Sequence, residues 1–116
     1  MTCFCEEQET HEVKLEGDVE TDPLWCIHCG CNLEIEDLPV STNLQVELNK
    51  WAVAYGNWID WEKDRLLPSG QKLEEEHNKM GMDLTEKLKD ELNGSLKVVF
   101  SPSAIISDYH YKMKWY

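Results

Sequence analysis

At 116 residues, with 41 % hydrophobic and 29 % charged side chains, the chain has room for one domain with a modest core. Its formal net charge of −12 weighs against nucleic-acid binding, which needs lysine and arginine contacts to phosphate. No apolar run reaches the roughly 18 residues of a membrane span, and no basic segment followed by an apolar one opens the chain, so a soluble cytoplasmic protein is expected.

The charge is uneven. Residues 1–40 hold eleven acids against the single base Lys14, whereas residues 41–95 hold eleven acids against seven bases. Residues 96–116 carry one acid and three lysines, so the last stretch is weakly basic. Such a balance serves solubility, and it also suits an acidic face meant for a basic partner.

In chain order, the first feature is Cys3-Phe4-Cys5. Residues 6–22 follow as an acid-rich loop or weak hairpin, with Val13 and Leu15 alternating with polar neighbours and a turn at Glu16-Gly17-Asp18. Pro23-Leu24-Trp25 leads into Cys26-Ile27-His28-Cys29-Gly30, where two cysteines two residues apart can aim both sulfurs at one ion. Gly30 permits the positive φ that such a turn often needs. Cytosolic thiols stay reduced, so metal is favoured over disulfides for the five cysteines. Cys3, Cys5, Cys26 and Cys29 are therefore the expected ligands of a structural zinc ion. Cys31 is read as a bystander that can also replace Cys3, and His11 and His28 as solvated. A thioredoxin-like use of the CxxC pair expects a βαβ setting, and none surrounds it.

The residues Cys26-Ile27-His28-Cys29-Gly30 with Asn32-Leu33 resemble the zinc-ribbon and zinc-knuckle group over about the first 38 residues. The resemblance implies a small β-rich fold around one zinc ion, with no reaction attached. This chain departs from that pattern in its CxC first pair and in Cys31. The knuckle followed by helices also resembles small bacterial and phage proteins.

Asn32 to Ile35 continue as a short strand, and Pro39-Val40 mark a boundary. The apolar stripe Leu44, Leu48, Trp51, Tyr55 and Trp58 predicts a helix over 41–59. Ser41 or Thr42 caps it, Thr42 with Gln45 having capping-box spacing; Gly56 weakens the last turn without having to end it. Residues 60–70 read as an acidic connection. Asp60, Glu62 and Asp64 imitate the start of a calcium loop, but Arg65 and Gln71 occupy its deciding positions, so a solvated turn is expected.

A second helix is predicted over 71–93, with Ser69 as cap and Asn93-Gly94 as stop. Its stripe is Leu73, His77, Met80, Leu84, Leu88 and Leu92, with His77 read as a packing residue holding one hydrogen bond. Gly81 inside it marks a kink or a close approach by another segment. Leu96 to Phe100 is the clearest strand, and the alternation from Tyr109 to Trp115 predicts a terminal one.

The expected fold is α+β: an N-terminal zinc knuckle over 1–38, then a body over 39–116 of two antiparallel helices and a C-terminal strand or hairpin. Residues 1–38 have too little apolar surface to order without metal, so chelation is expected to disorder them while the helices persist. A closed zinc site leaves no open coordination position, and no nucleotide-binding or nucleophile motif is present, so no enzymatic activity is expected. The first expected function is a zinc-stabilised adaptor or regulator that binds another protein. An acidic inhibitor masking a nucleic-acid-binding surface is the second, and a thiol redox or metal-handling protein the third.

Overall fold

The computed structural model describes residues 5, 9–18, 20–63 and 65–104. Cys3 and the expected strand from Tyr109 to Trp115 lie outside the described residues.

The fold is α+β. Strand β1 (Glu12–Leu15) pairs antiparallel with β2 (Leu24–Cys26), with Val13 opposite Cys26, so the second strand lies beyond the 6–22 stretch expected to hold the hairpin. Strand β3 (Asn32–Leu33) pairs antiparallel with β2, and a single 3₁₀ turn covers Ile35–Asp37. Helix α1 (Thr42–Ala54), the two-residue strands β4 (Ile59–Asp60) and β5 (Arg65–Leu66), and helix α2 (Gly70–Leu92) follow. The last described strand, β6 (Lys97–Phe100), returns to pair parallel with β1, giving the sheet order β3-β2-β1-β6. A parallel partner needs a long crossover, and the two helices supply it.

Alternation in β1 decides which face is covered: Val13 and Leu15 are fully buried, while Glu12 and Lys14 stay half-exposed. Val13, Leu15, Leu24, Cys26 and Leu33 of the antiparallel strands share one core with Leu48 and Trp51 of α1, Leu84, Leu88 and Leu92 of α2, and Val98 of β6. Residues on both sides of Pro39 thus belong to one sheet and one core. A smaller cluster joins Trp58 and Ile59 to Tyr55, Leu66 and Leu73.

Three local expectations need correction. Helix α1 stops at Ala54 rather than near 59, because Gly56 takes a positive φ of 81°. Trp58 is buried all the same, from the turn beyond the helix. The N-cap is Ser41, whose Oγ accepts from the Leu44 N–H at 3.2 Å, whereas the Gln45 amide donates to the Leu38 carbonyl, so no capping box forms. Ser69 makes no side-chain cap bond to α2. Asn93, in the left-handed conformation, does end α2 as expected.

The buried face of α2 also differs from the apolar stripe. Met80 is 56 % exposed, and Gly81 and Thr85 are buried in its place. A Cβ on Gly81 would collide with the rings of Phe100 and Trp51, so this glycine admits the close approach that its position suggested.

Candidate functional site

The knuckle forms where β2 ends. The Cys26 N–H donates to the Cys31 carbonyl at 3.0 Å, and the Gly30 N–H donates to the Cys26 carbonyl at 2.9 Å. These bonds close a tight turn in which Gly30 has φ of 75°. Cys26 faces the core, 1 % exposed, while Cys29 stands at the surface of the turn. Cys5 brings its sulfur to 3.5 Å from that of Cys26.

The sulfurs of Cys5, Cys26 and Cys29 all lie within 4.8 Å of one another. Zinc–sulfur bonds of about 2.3 Å put the edge of a tetrahedral thiolate site near about 3.8 Å, so the spacing fits three corners of such a site. Three of the four expected ligands therefore converge, and Cys3 lies outside the described residues. Cys31 is half-buried against the core and is not in that group. The His28 side chain is 59 % exposed, with its Nε2 3.6 Å from a Glu12 carboxylate oxygen.

Exposed carboxylates are spread over several elements, from Asp18 and Glu20 through Asp37 and Glu47 to Glu86 and Glu91. One cleft of about 380 Å³ gathers exposed Asp18 and Glu20 with half-buried Asp22, facing Val53 and Tyr55 at the end of α1. Asp22 is fixed there by accepting the Ile35 N–H at 3.0 Å, and Val53 is 81 % exposed. The Asp60 carboxylate accepts the Glu62 and Lys63 N–H groups at 3.2 Å, which makes the calcium-like stretch a hydrogen-bonded turn.

At the opposite end of the core, His77 is 5 % exposed and stacks on Trp51 with ring centroids 4.3 Å apart. The Trp51 indole N–H donates to the His77 carbonyl at 2.9 Å, and His77 Nε2 lies 3.1 Å from the Trp51 carbonyl. Burial pushes the His77 pKa below its ordinary value, against the opposing pull of the Trp51 carbonyl and Glu74. Sequence reasoning placed His77 on the packed face of α2 but did not pair it with Trp51. Two amphipathic stripes say which faces are apolar, not which residues meet. The signal was one histidine and one tryptophan, each central in its stripe.

Comparison with known families decides how this surface is read. Residues 11–103 match the Serratia CdiI immunity protein-like family. The chain belongs to that family. No curated protein matches the chain. The immunity-protein match runs from just before β1 to just beyond β6, so it takes in the whole described sheet and both helices. It includes Cys26 and Cys29 and begins after Cys5. The zinc-ribbon resemblance rests on the knuckle residues alone, and the family match is to immunity proteins instead.

Proposed function

We propose that this protein is a toxin-neutralising immunity protein: it binds a protein toxin in the cytoplasm of the cell it protects and blocks it stoichiometrically, without catalysis. The observation that carries this reading is the family match across residues 11–103. It agrees with the expected protein-binding regulator and gives the partner a class. Among the described residues no helix is long and apolar enough to cross a membrane. The net charge of −12 favours a toxin whose contacting face is basic, because complementary charge speeds encounter and disfavours wrong partners. A nucleic-acid-binding toxin surface is one such face.

The test is affinity capture with the full chain as bait, followed by expression of each captured protein alone and with the chain. The expected result is one partner that stops growth alone and is harmless beside an equimolar amount of this protein. Capture of only non-toxic partners would count against the proposal.

A structural metal is the second part of the proposal, favoured by the three sulfurs within 4.8 Å. Zinc held by Cys5, Cys26 and Cys29, with Cys3 as the fourth thiolate and Cys31 as its substitute, would tie the chain before β1 to the end of β2. Metal analysis of the intact protein, with each cysteine replaced in turn by serine, tests it. One zinc per chain, lost on replacing any true ligand, is expected. Zinc that leaves readily to a mild chelator, or a protein that cycles through a disulfide, would favour the thiol redox and metal-handling reading instead.

A further inference from the structure

The contact between the helices contains a reciprocal pair. Trp51 and His77, buried to 2 % and 5 % exposure, stack nearly parallel, and each ring reaches the other residue's backbone carbonyl. Beside this pair helix α1 closes in a tighter turn, with the Tyr55 N–H on the Ala52 carbonyl at 3.2 Å. A carbonyl can only accept, so the proton of the His77 ring sits on Nε2. The other nitrogen, Nδ1, is then a lone pair, and it is buried with no hydrogen-bond partner.

The surroundings of His77 suit a neutral ring. Trp58 lies 5.1 Å away and Tyr55 6.0 Å away between ring centroids, and the Trp58 indole N–H is itself buried without an acceptor. Among the described residues, the charged group beside His77 is Glu74, one turn earlier on α2, with a carboxylate oxygen taking the Ser103 hydroxyl at 2.9 Å. From α1 and the turn beyond it, Tyr55 is the titratable neighbour, and Trp51 and Trp58 carry no charge. From β6, Phe100 packs on Trp51.

We propose that the Trp51–His77 pair is an acid-sensitive latch, and that uptake of one proton at His77 Nδ1 releases the end of α1 from α2. The added proton creates a second N–H with no acceptor and a charge shielded from water. The face of Trp51 and the C-terminal end of α1 attract a cation, and Glu74 pulls the same way. Burial outweighs them, in the same sense as the lowered pKa of this histidine. The inference stands apart from toxin binding and from the thiol site.

The experiment is urea unfolding of the full chain and of His77→Gln between pH 7.5 and 5. Glutamine can keep the N–H toward the Trp51 carbonyl but does not titrate. Any metal lost in acid affects both proteins alike, so their difference isolates the latch. Below the unfolded-state histidine pKa of about 6.5, the native unfolding constant is expected to rise up to tenfold per pH unit relative to the variant. Long-range nitrogen–proton spectra of the native chain supply a second readout that does not depend on the variant folding. His77 is expected to hold its Nε2–H form at a pH below the ordinary histidine value of about 6.5. An equal pH dependence in both proteins, or a His77 midpoint at or above about 6.5, would overturn the latch.

Discussion

At the Cys26–Gly30 turn three thiols converge from positions 5, 26 and 29, whereas at the far end of the core two aromatic rings converge from positions 51 and 77. The thiol end carries a heavy acidic charge outside and an apolar inner face, with Val13, Leu24 and Leu33 buried, and it is ordered by strand pairing. The helical end is ordered by burial and by two cross-helix hydrogen bonds. What joins them is β1, flanked by β2 on one side and by β6 on the other. Val13 and Leu15 are fully buried there, under side chains from both helices. Unlike chemistries at the two ends therefore act on a single core.

The largest loss of stability is expected at the thiol end. Metal sites of this type carry apparent energies of about 10–16 kcal/mol in small zinc peptides, against a total stability of about 5–15 kcal/mol for an ordinary domain. Replacing Cys26 by serine should then abolish the cooperative melting transition, read by near-ultraviolet circular dichroism. A variant that melts like the native chain would show that the sulfurs hold nothing that matters to the fold.

At the helical end the largest effect is expected from Gly81→Ala. Helix propensity alone favours alanine by about 1 kcal/mol. The new Cβ collides with Phe100 and Trp51, and overpacking of this kind costs about 1–3 kcal/mol. Net destabilisation is expected in urea unfolding, and a more stable variant would mean that the rings shift at little cost.

The junction between the ends gives the smallest effect. Ser41 caps α1, and its hydroxyl donates to the Glu91 carboxylate at the close of α2 at 2.9 Å. Ser41→Ala should cost about 1 kcal/mol, as cap removals do, with no change in metal content. Acid acts more gently still. Glu16, despite partial burial that pushes the other way, is held below its ordinary pKa by the Ser101 hydroxyl and Lys14. Its contribution is present above the ordinary carboxylate pKa and lost as pH falls through the lowered one, whereas that of His77 begins to fall below about 6.5. Glu16→Gln should remove only the more acidic of these two losses from the stability-versus-pH curve.

Much of this arrangement could be read from residue order. Val13 and Leu15 alternate as a strand must, Leu44, Leu48 and Trp51 repeat as a helix must, and Asn93-Gly94 ends α2 as its chemistry dictates. The thiol grouping was legible because CxxC is a local spacing with a local purpose. Contacts that depend on the third dimension were not. The exposure of Met80 follows from Gly81 meeting Trp51 and Phe100, and those partners come from other elements. The composition shift at Pro39 suggests a division, but strand pairing crosses it, because a parallel β1–β6 ladder leaves no mark on local composition. Membership of an immunity-protein family was not legible either, since acidity and surplus aromatics fit many kinds of binding protein.

Amide exchange of the zinc-loaded protein, followed with and without a strong chelator, tests the shared core most directly. The account predicts that removing metal accelerates exchange in β1, in β6 and along the buried faces of both helices together. Acceleration confined to residues before Pro39, with β6 and the helices still protected, would contradict it.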